Sequence, residues 1–169
     1  MSIEIRKGTA ADTEHFIKLL HEVRDTMTCP EWFYLDPDDE VREMMEDGTM
    51  RLWVAVDGDR LAGAFDIVIP GLRHYNYGYD LGFSEEELLR VINMDSAAVH
   101  PDYRGLGLQK RLMETAQAEI VKEGEKIRLC TVHPENRFSL NNVRKQGYTI
   151  QKKMEKYQSV RYILRKDVP

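Results

Sequence analysis

One segment, residues 91–113, constrains the fold more than any other part of the chain. An apolar run typical of a strand ends at Val99, where a His-Pro pair breaks it. A turn containing Gly105 and Gly107 follows, and an amphipathic helix is predicted from Leu108 onward. A strand that enters a glycine-rich turn at a helix start presents unpaired backbone N–H groups and the positive end of the helix dipole to an anion. The segment therefore predicts a binding site for a ligand that carries a diphosphate.

Two common phosphate-binding motifs do not match this turn. A P-loop requires Gly-x-x-x-x-Gly-Lys followed by Ser or Thr, and the sequence contains no such string. The dinucleotide fingerprint Gly-x-Gly-x-x-Gly needs a third glycine at the position that Lys110 occupies. An ordinary strand–turn–helix without a ligand remains the structural alternative at this point.

A second strand–helix unit follows the first. Residues 126–132 predict a strand, and after it Asn136 is placed to cap a helix. Phe138 and Val143 provide apolar contacts for that helix, and Gly147 predicts its C-terminal end.

The residues of the first segment resemble a motif of the GNAT (Gcn5-related N-acetyltransferase) superfamily. That motif, Arg/Gln-x-x-Gly-x-Gly/Ala, lies between the fourth strand of the family and the helix that follows it. Arg104 and Gly107 match the motif, whereas Gln109 stands where the family has glycine or alanine. The glutamine reduces the room for close approach, but its side chain could itself donate to a phosphate oxygen.

The second segment resembles the next family motif. In GNAT proteins the fifth strand is followed by Asn-x-x-Ser/Ala, and the helix that begins there closes on Gly-Phe or Gly-Tyr. This chain has Asn136, Ser139, Gly147 and Tyr148 in that order and at that spacing. Two motifs in the correct order arise by chance much less readily than one, so the resemblance outweighs the structural alternative.

The resemblance implies a single N-acetyltransferase domain over residues 1–169 with an α/β (α+β) fold. A mixed, mostly antiparallel sheet of about seven strands would be splayed between its fourth and fifth strands and flanked by about four helices. Hydrophobic patterns and turn residues independently predict strands at 3–7, 50–56, 60–69, 91–99, 126–132, 148–154 and 158–165. Helices are predicted after Thr9, from a cap at Asp36 with Pro37 as first helical residue, after Ser84, at Leu108 and after Asn136.

Composition excludes several classes of protein. With 42% hydrophobic and 31% charged residues and a net charge of −5, the chain suits a globular protein without a broad surface for nucleic acid. Its two cysteines, Cys29 and Cys130, have no ligand-like spacing, so neither a zinc site nor a disulfide framework is expected. No secretory signal and no apolar run of membrane-spanning length are present, and a cytoplasmic location without membrane contact is expected.

The cofactor implied by the resemblance is acetyl-CoA or another acyl-CoA, and no metal is implied. Backbone amides from Gly105 to Lys110 would hold the pyrophosphate, and the backbone of β-strand residues 97–99 would pair with the pantetheine arm. Asn136 would bond the arm near the thioester. The full set of expected cofactor-binding residues is Ala97, Ala98, Val99, Arg104, Gly105, Leu106, Gly107, Leu108, Gln109, Lys110, Asn136 and Ser139.

The implied reaction is direct attack of an acceptor amine on the thioester, which needs a base and a proton source for the thiolate. Many GNAT enzymes use a tyrosine four residues before the Gly-Tyr pair, but that position is Val143 here. Tyr148, Ser139, a tyrosine from the loop in the 70s or solvent are the candidate substitutes. The candidate bases are Asp95 and His133. Alternation along the strand places Asp95 on the same face as residues 97 and 99, and histidine changes its charge in the physiological pH range. A solvated strand-end Asp and an ordinary loop His are the plainer interpretations.

The acceptor site is expected opposite the cofactor, between the loop after the first helix and the connection at residues 70–90. Aromatic and acidic side chains in those loops suit an amine, a polyamine, an amino sugar or a peptide N-terminus, although they would equally pack under the loop or cap a helix. They are Trp32, Phe33, Tyr34, Tyr75, Tyr77, Tyr79, Glu31, Asp36, Asp38 and Asp39.

The sequence thus favours an acetyl-CoA-dependent N-acetyltransferase acting on a primary amine of a small molecule or protein. A non-catalytic acyl-CoA-binding regulator is the alternative, since Val143 replaces the usual tyrosine. A nucleotide-binding domain is disfavoured because no Lys-Ser/Thr pair follows the glycine turn. A homodimer, common in the family, stays open, because no feature of the sequence requires it.

Overall fold

The computed structural model describes residues 2–122 and 127–167. Its seven strands form one sheet in the order β1-β2-β3-β4-β5-β7-β6. The strands are β1 (Ile3–Lys7), β2 (Met50–Asp57), β3 (Arg60–Val68), β4 (Val91–Val99), β5 (Ile127–Val132), β6 (Thr149–Lys156) and β7 (Ser159–Asp167). The helices are α1 (Thr13–Asp25), α2 (Asp38–Asp47), α3 (Glu85–Leu88), α4 (Leu108–Lys122) and α5 (Arg137–Lys145).

The central pair of strands, β4 and β5, is parallel, while every other neighbouring pair is antiparallel. β4 and β5 are paired only from Val91 with Ile127 to Asn93 with Leu129. Beyond that point the two strands have no pairing, and the sheet opens between them. The expected mixed sheet, splayed between its fourth and fifth strands, is therefore confirmed.

A β-bulge interrupts β4 beside β3. Asp66 pairs with Ser96, but the next residue, Ile67, pairs with Met94, so Asp95 is an extra residue on β4. A bulge of this kind shifts the alternation of side chains by one position. Asp95 therefore lies where the side-chain phase of the strand changes.

The helices cover the two faces of the sheet. Helix α4 packs Leu112, Ala116 and Ile120 on one face, where they form a core with residues that include Phe65 and Ile67. Helices α1 and α2 pack on the opposite face through side chains that include Phe16, Leu20, Val41 and Met44. Because the sheet opens between β4 and β5, the space between the strands communicates with both layers.

Most predicted element bounds agree with the structure. The capping box at Ser84 and Glu87, the cap at Asn136 and the left-handed Gly48 after α2 are all present. The first helix differs slightly, because a short 3-10 turn at Ala10–Asp12 precedes α1. Lys126, predicted as the first residue of the fifth strand, lies outside the described residues.

The prediction for the start of α2 is wrong by one residue. The helix begins at Asp38 with Pro37 as its N-cap, and no side chain caps it. Asp36 does not cap the helix because its carboxyl lies against the carboxyl of Asp95.

The turn between β6 and β7 also differs from expectation. The strands are longer than predicted and meet at Tyr157 and Gln158, which both have positive φ values, of 58° and 62°. Two consecutive left-handed residues form a tight hairpin turn, and non-glycine residues there are strained. Among the described helices, none is both long enough and apolar enough to span a bilayer.

Candidate active site

The predicted anion site lies at the start of α4. Gly105 and Gly107 have φ values of 82° and 69°, a left-handed backbone that glycine adopts without strain. The first helical hydrogen bond runs from the Arg111 N–H to the Gly107 carbonyl, at 3.1 Å. The amides of residues 108–110 belong to the first turn and have no intrahelical acceptor, so they suit an anion.

The backbone of the turn explains why glycine occupies both positions. A Cβ added at Gly105 or Gly107 would meet no atom of the protein within 4 Å. The turn therefore requires glycine for its positive φ angles, not to avoid crowding within the chain itself.

Two basic side chains flank this turn. The Arg104 guanidinium is exposed and donates to the Thr26 hydroxyl, at 3.3 Å, which links the turn to the end of α1. Lys110 is also exposed and lies 3.8 Å from Glu114. Among the described residues, each has one polar contact at its charged end, so both could contribute positive charge near a bound phosphate.

A cavity of about 660 Å³ continues from the turn into the opening between β4 and β5. Most of the expected cofactor-binding residues line it, namely Ala97, Val99, Arg104, Gly105, Gly107, Leu108, Gln109, Asn136 and Ser139. The three other expected residues do not line the cavity. Ala98 is buried among α1 and α2 residues on the opposite face, Leu106 is exposed, and Lys110 points outward at the surface.

The far wall of this cavity is formed by β5 and the start of α5. The Asn136 side-chain oxygen accepts a hydrogen bond from the Ser139 N–H, at 3.3 Å, which fixes the first turn of α5. Phe138, between them, is 78% exposed and lines the cavity. Cys130 contributes a buried thiol whose pKa is raised to about 12 by burial, so it stays protonated.

Asp95 is the candidate base that the structure places in the cavity. Its carboxyl accepts a hydrogen bond from the buried Tyr77 hydroxyl, at 2.8 Å. Asp95 also lines a second, smaller cavity on the side of α2, and it is the only described residue common to both. The bulge in β4 explains this position, because the residue at the phase change is accessible from both sides.

The other two catalytic candidates lie elsewhere. His133 is buried, stacks on Trp32 at a centroid distance of 5.7 Å, and accepts a hydrogen bond from the Glu135 N–H. Tyr148 is buried in the core under α4, where Lys166 lies above its ring. Neither lines the described cavities, whereas Val143, at the position of the usual tyrosine, does.

Two further carboxyls surround Asp95. Burial, and then the negative charge of Asp95, raises the pKa of Asp36 to about 8. Asp66 is fully buried on β3, and burial and the charges of Asp95 and Asp36 hold its pKa well above the usual range. Its Oδ1 accepts a hydrogen bond from the Ser96 N–H, at 3.1 Å. The protonated form of each of these two carboxyls is therefore favoured beside Asp95.

Sequence reasoning did not identify Asp66. The available indication was a charged residue inside a strand that is otherwise apolar, since an acidic side chain is rarely buried without a partner. Tyr157 was also missed. Its ring is mostly buried, stacks on Tyr34 at 3.8 Å and shares a hydrogen bond with Tyr77, and this packing maintains its strained backbone.

The residues expected at the acceptor site are divided by the structure. Tyr34, Asp36, Tyr75 and Tyr77 line the second cavity, while Trp32 and Phe33 line the first. The remaining ones are at the surface or bonded elsewhere: Asp38 with His21, Asp39 with Arg42, Tyr79 with the Leu72 carbonyl, and the Glu31 carbonyl with Arg161. In the described part of the chain, no cluster of His, Cys, Asp and Glu is arranged to hold a metal.

The fold and the site together define the class of protein. Its sheet is opened at the centre, and a helix start that suits an anion lies at one end of the opening. The family model for the Acetyltransferase (GNAT) family matches residues 19–148. The chain belongs to this family. Among curated proteins, none matches the sequence.

Solved structures share the fold at low sequence identity. An N-acetyltransferase from Staphylococcus aureus Mu50 superposes with a TM-score of 0.74 and 14% identity, covering 99% of both chains. The putative acetyltransferase yncA of Salmonella typhimurium, solved with acetyl-CoA, gives 0.73 and 14%, covering 99% of this chain and 94% of the other. A chain of the NatC complex, solved with Gag peptide and CoA, gives 0.73 and 16%, with full coverage of both.

Proposed function

We propose that this chain is an acetyl-CoA-dependent N-acetyltransferase that acts on a primary amine by direct attack in a ternary complex. The observation that carries the proposal is the position of Asp95 between the cofactor-sized cavity and the second cavity. Membership of the GNAT acetyltransferase family supports the activity. The coenzyme A species in two structural neighbours support an acyl-CoA as the cofactor.

The residues of the larger cavity fit such a cofactor. The amides at the start of α4 suit a pyrophosphate, and Arg104 adds positive charge beside them. The edge of β4 beyond Asn93, which β5 leaves unpaired, suits the amides of a pantetheine arm in the manner of an added strand. When bound, acetyl-CoA supplies an activated acyl group as a thioester.

Asp95 would act on the acceptor amine. An alkyl ammonium must lose a proton before its nitrogen can attack, and Asp95 would accept that proton at the junction of the cavities. The Tyr77 hydroxyl would hold the carboxylate in position. The C–S bond of the thioester breaks as the C–N bond of the amide forms. Of the two protons that the ammonium loses, one goes to the departing sulfur and the other is released to solvent. Holding both reactants against one carboxylate supplies much of the acceleration.

One observation favours a second candidate, a non-catalytic acyl-CoA-binding regulator. Val143 lines the cavity at the position where many family members have a tyrosine, and its buried side chain has no proton to donate. In an enzyme, another group such as Ser139, which also lines the cavity, or solvent would then have to protonate the departing sulfur.

A thiol-release assay with acetyl-CoA and a panel of amines and peptides separates the two functions, with the acetylated product identified by mass. We expect release of coenzyme A, and a fall in turnover of about 10²-fold or more in Asp95→Asn without weaker cofactor binding. Tight cofactor binding without turnover on any acceptor would favour the regulator. Absence of any coenzyme A binding would refute both.

A further inference from the structure

The second cavity, of about 240 Å³, lies between α2, the loop before β4 and the β6–β7 turn. Asp36 and Glu40 line it from the side of α2, and Asp95 lines it from the sheet. Asp66 lies behind them on the same face of β3 as Val68, which also lines the cavity. Four carboxyls thus run from the buried sheet to the exposed Glu40.

These carboxyls lack a positive partner. In residues 2–122 and 127–167, no lysine or arginine forms an ion pair with Asp36, Glu40 or Asp95. The Asp66 Oδ2 atom is fully buried and finds no hydrogen-bond donor of the described chain. Because Asp66 lies against Asp95 and does not line the cavity, an ammonium that enters the cavity would meet Asp36, Glu40 and Asp95.

Among the described residues, Lys156 and His74 are the basic side chains that line this cavity, and Lys156 is already paired. The Lys156 ammonium lies 2.7 Å from Asp80, and both side chains are largely buried. It also lies over the rings of Tyr77 and Tyr157, at 5.4 and 5.1 Å. The lysine therefore leaves Asp36 and Glu40 uncompensated, and it shows that these tyrosines accept an ammonium group.

The loop before α2 contacts the β6–β7 hairpin on one side of the cavity. The Tyr34 ring stacks on Tyr157, and the Arg161 guanidinium donates to the Glu31 carbonyl, at 2.6 Å. The small volume of the cavity favours a compact ligand over an extended peptide. At about 30 Å³ for each water-sized unit, a volume of 240 Å³ holds a ligand of roughly six to eight non-hydrogen atoms.

We infer that the second cavity is the acceptor site for a short aliphatic diamine, with the reacting amine beside Asp95 and the second ammonium beside Asp36 and Glu40. The inference rests on the proposed function and specifies its substrate class. A monoamine would bring no positive partner to Asp36 and Glu40, whereas a second ammonium a few carbons away would lie beside Glu40 and favour the ionised form of Asp36. No metal is needed for this role, since the described carboxyls are not arranged as a metal site.

The test compares matched acceptors in the thiol-release assay: butylamine with 1,4-diaminobutane, pentylamine with 1,5-diaminopentane, and a tetrapeptide with a free N-terminus. We expect kcat/KM for each diamine to exceed that of its monoamine by about tenfold or more, with a smaller ratio at high salt. Asp36→Asn and Glu40→Gln should reduce the ratio. Glu43→Gln, an equal charge change on the exposed face of α2, should preserve it.

Each outcome decides between the two proposals. Equal rates for diamines and monoamines, or a faster peptide, would overturn the diamine site while leaving the acetyltransferase intact. If no acceptor releases thiol, the proposed function fails, and calorimetry with 1,4-diaminobutane then tests the site alone. Binding that Asp36→Asn abolishes and Glu43→Gln retains would support the site, and no binding would overturn it.

Discussion

Asp36 should make the folding stability of this chain fall as the pH rises. Burial, and then the charge of Asp95, raises the pKa of Asp36 from 3.8 to about 8. Between those values the folded chain holds a proton that the unfolded chain has released, so the free energy of unfolding decreases with rising pH. The stabilising contribution of Asp36 to the free energy of unfolding is fully present below about pH 4 and is lost as the pH rises through about 8. Asp66 acts in the same direction.

Asp36→Asn should therefore stabilise the chain above neutral pH. A pKa rise of this size corresponds to at most about 6 kcal/mol, at 1.36 kcal/mol for each unit. The asparagine amide must still be accommodated in the same half-buried place, so we expect a gain of about 1–3 kcal/mol at pH 8. No helix cap is lost, because Asp36 makes no capping bond to α2.

The assay is chemical denaturation at several pH values between 5 and 9, with Glu43→Gln, on the adjoining helix α2, as the control. The wild-type chain and the control should lose stability across this range, and Asp36→Asn should show a flatter profile. Parallel pH profiles for all three chains would refute the reasoning, as would a variant that is less stable than the wild type at pH 8.

Three further results are expected. Gly107→Ala, at a φ of 69°, should weaken coenzyme A binding by about five- to tenfold in calorimetry. The control Gly48→Ala, equally strained at a φ of 80°, should lower only the melting temperature. Equal affinities of the two variants for coenzyme A would contradict the role of the turn. His133→Ala should retain turnover where Asp95→Asn loses it, and the reverse result would reassign the base. Gln158→Gly should raise stability by about 0.5–1 kcal/mol in thermal unfolding, because the left-handed residue at 62° is strained, and unchanged stability would argue against that strain.

Local patterns predicted most of the fold. The strand that ends at Val99, the helix that begins at Leu108 and the cap at Asn136 each depend on residues close together in sequence. Turn glycines and capping side chains act through neighbouring backbone groups, so a single sequence contains the information. The order of these elements, with the resemblance, then sufficed to predict the opened sheet.

The carboxyl cluster could not be predicted because its members come from distant parts of the chain. Asp36 precedes a helix, and in sequence it has the properties of an ordinary cap. Only the packing of α2 against the sheet brings its carboxyl to Asp95. The stack of Tyr34 on Tyr157 likewise joins segments more than one hundred residues apart, which no local pattern encodes.

The position of Asp95 follows from what the core requires of β4. In a regular strand, alternate side chains share a face, so Ile92 and Met94 could not lie on the same face as Ala97 and Val99. All four nevertheless contact the core beneath α4, because Asp95 is an extra residue between them. The same extra residue projects where the two cavities meet. The bulge that allows both halves of the strand to pack thus also places one carboxylate between the two cavities proposed for the cofactor and the acceptor, which couples the packing of the sheet to the proposed chemistry.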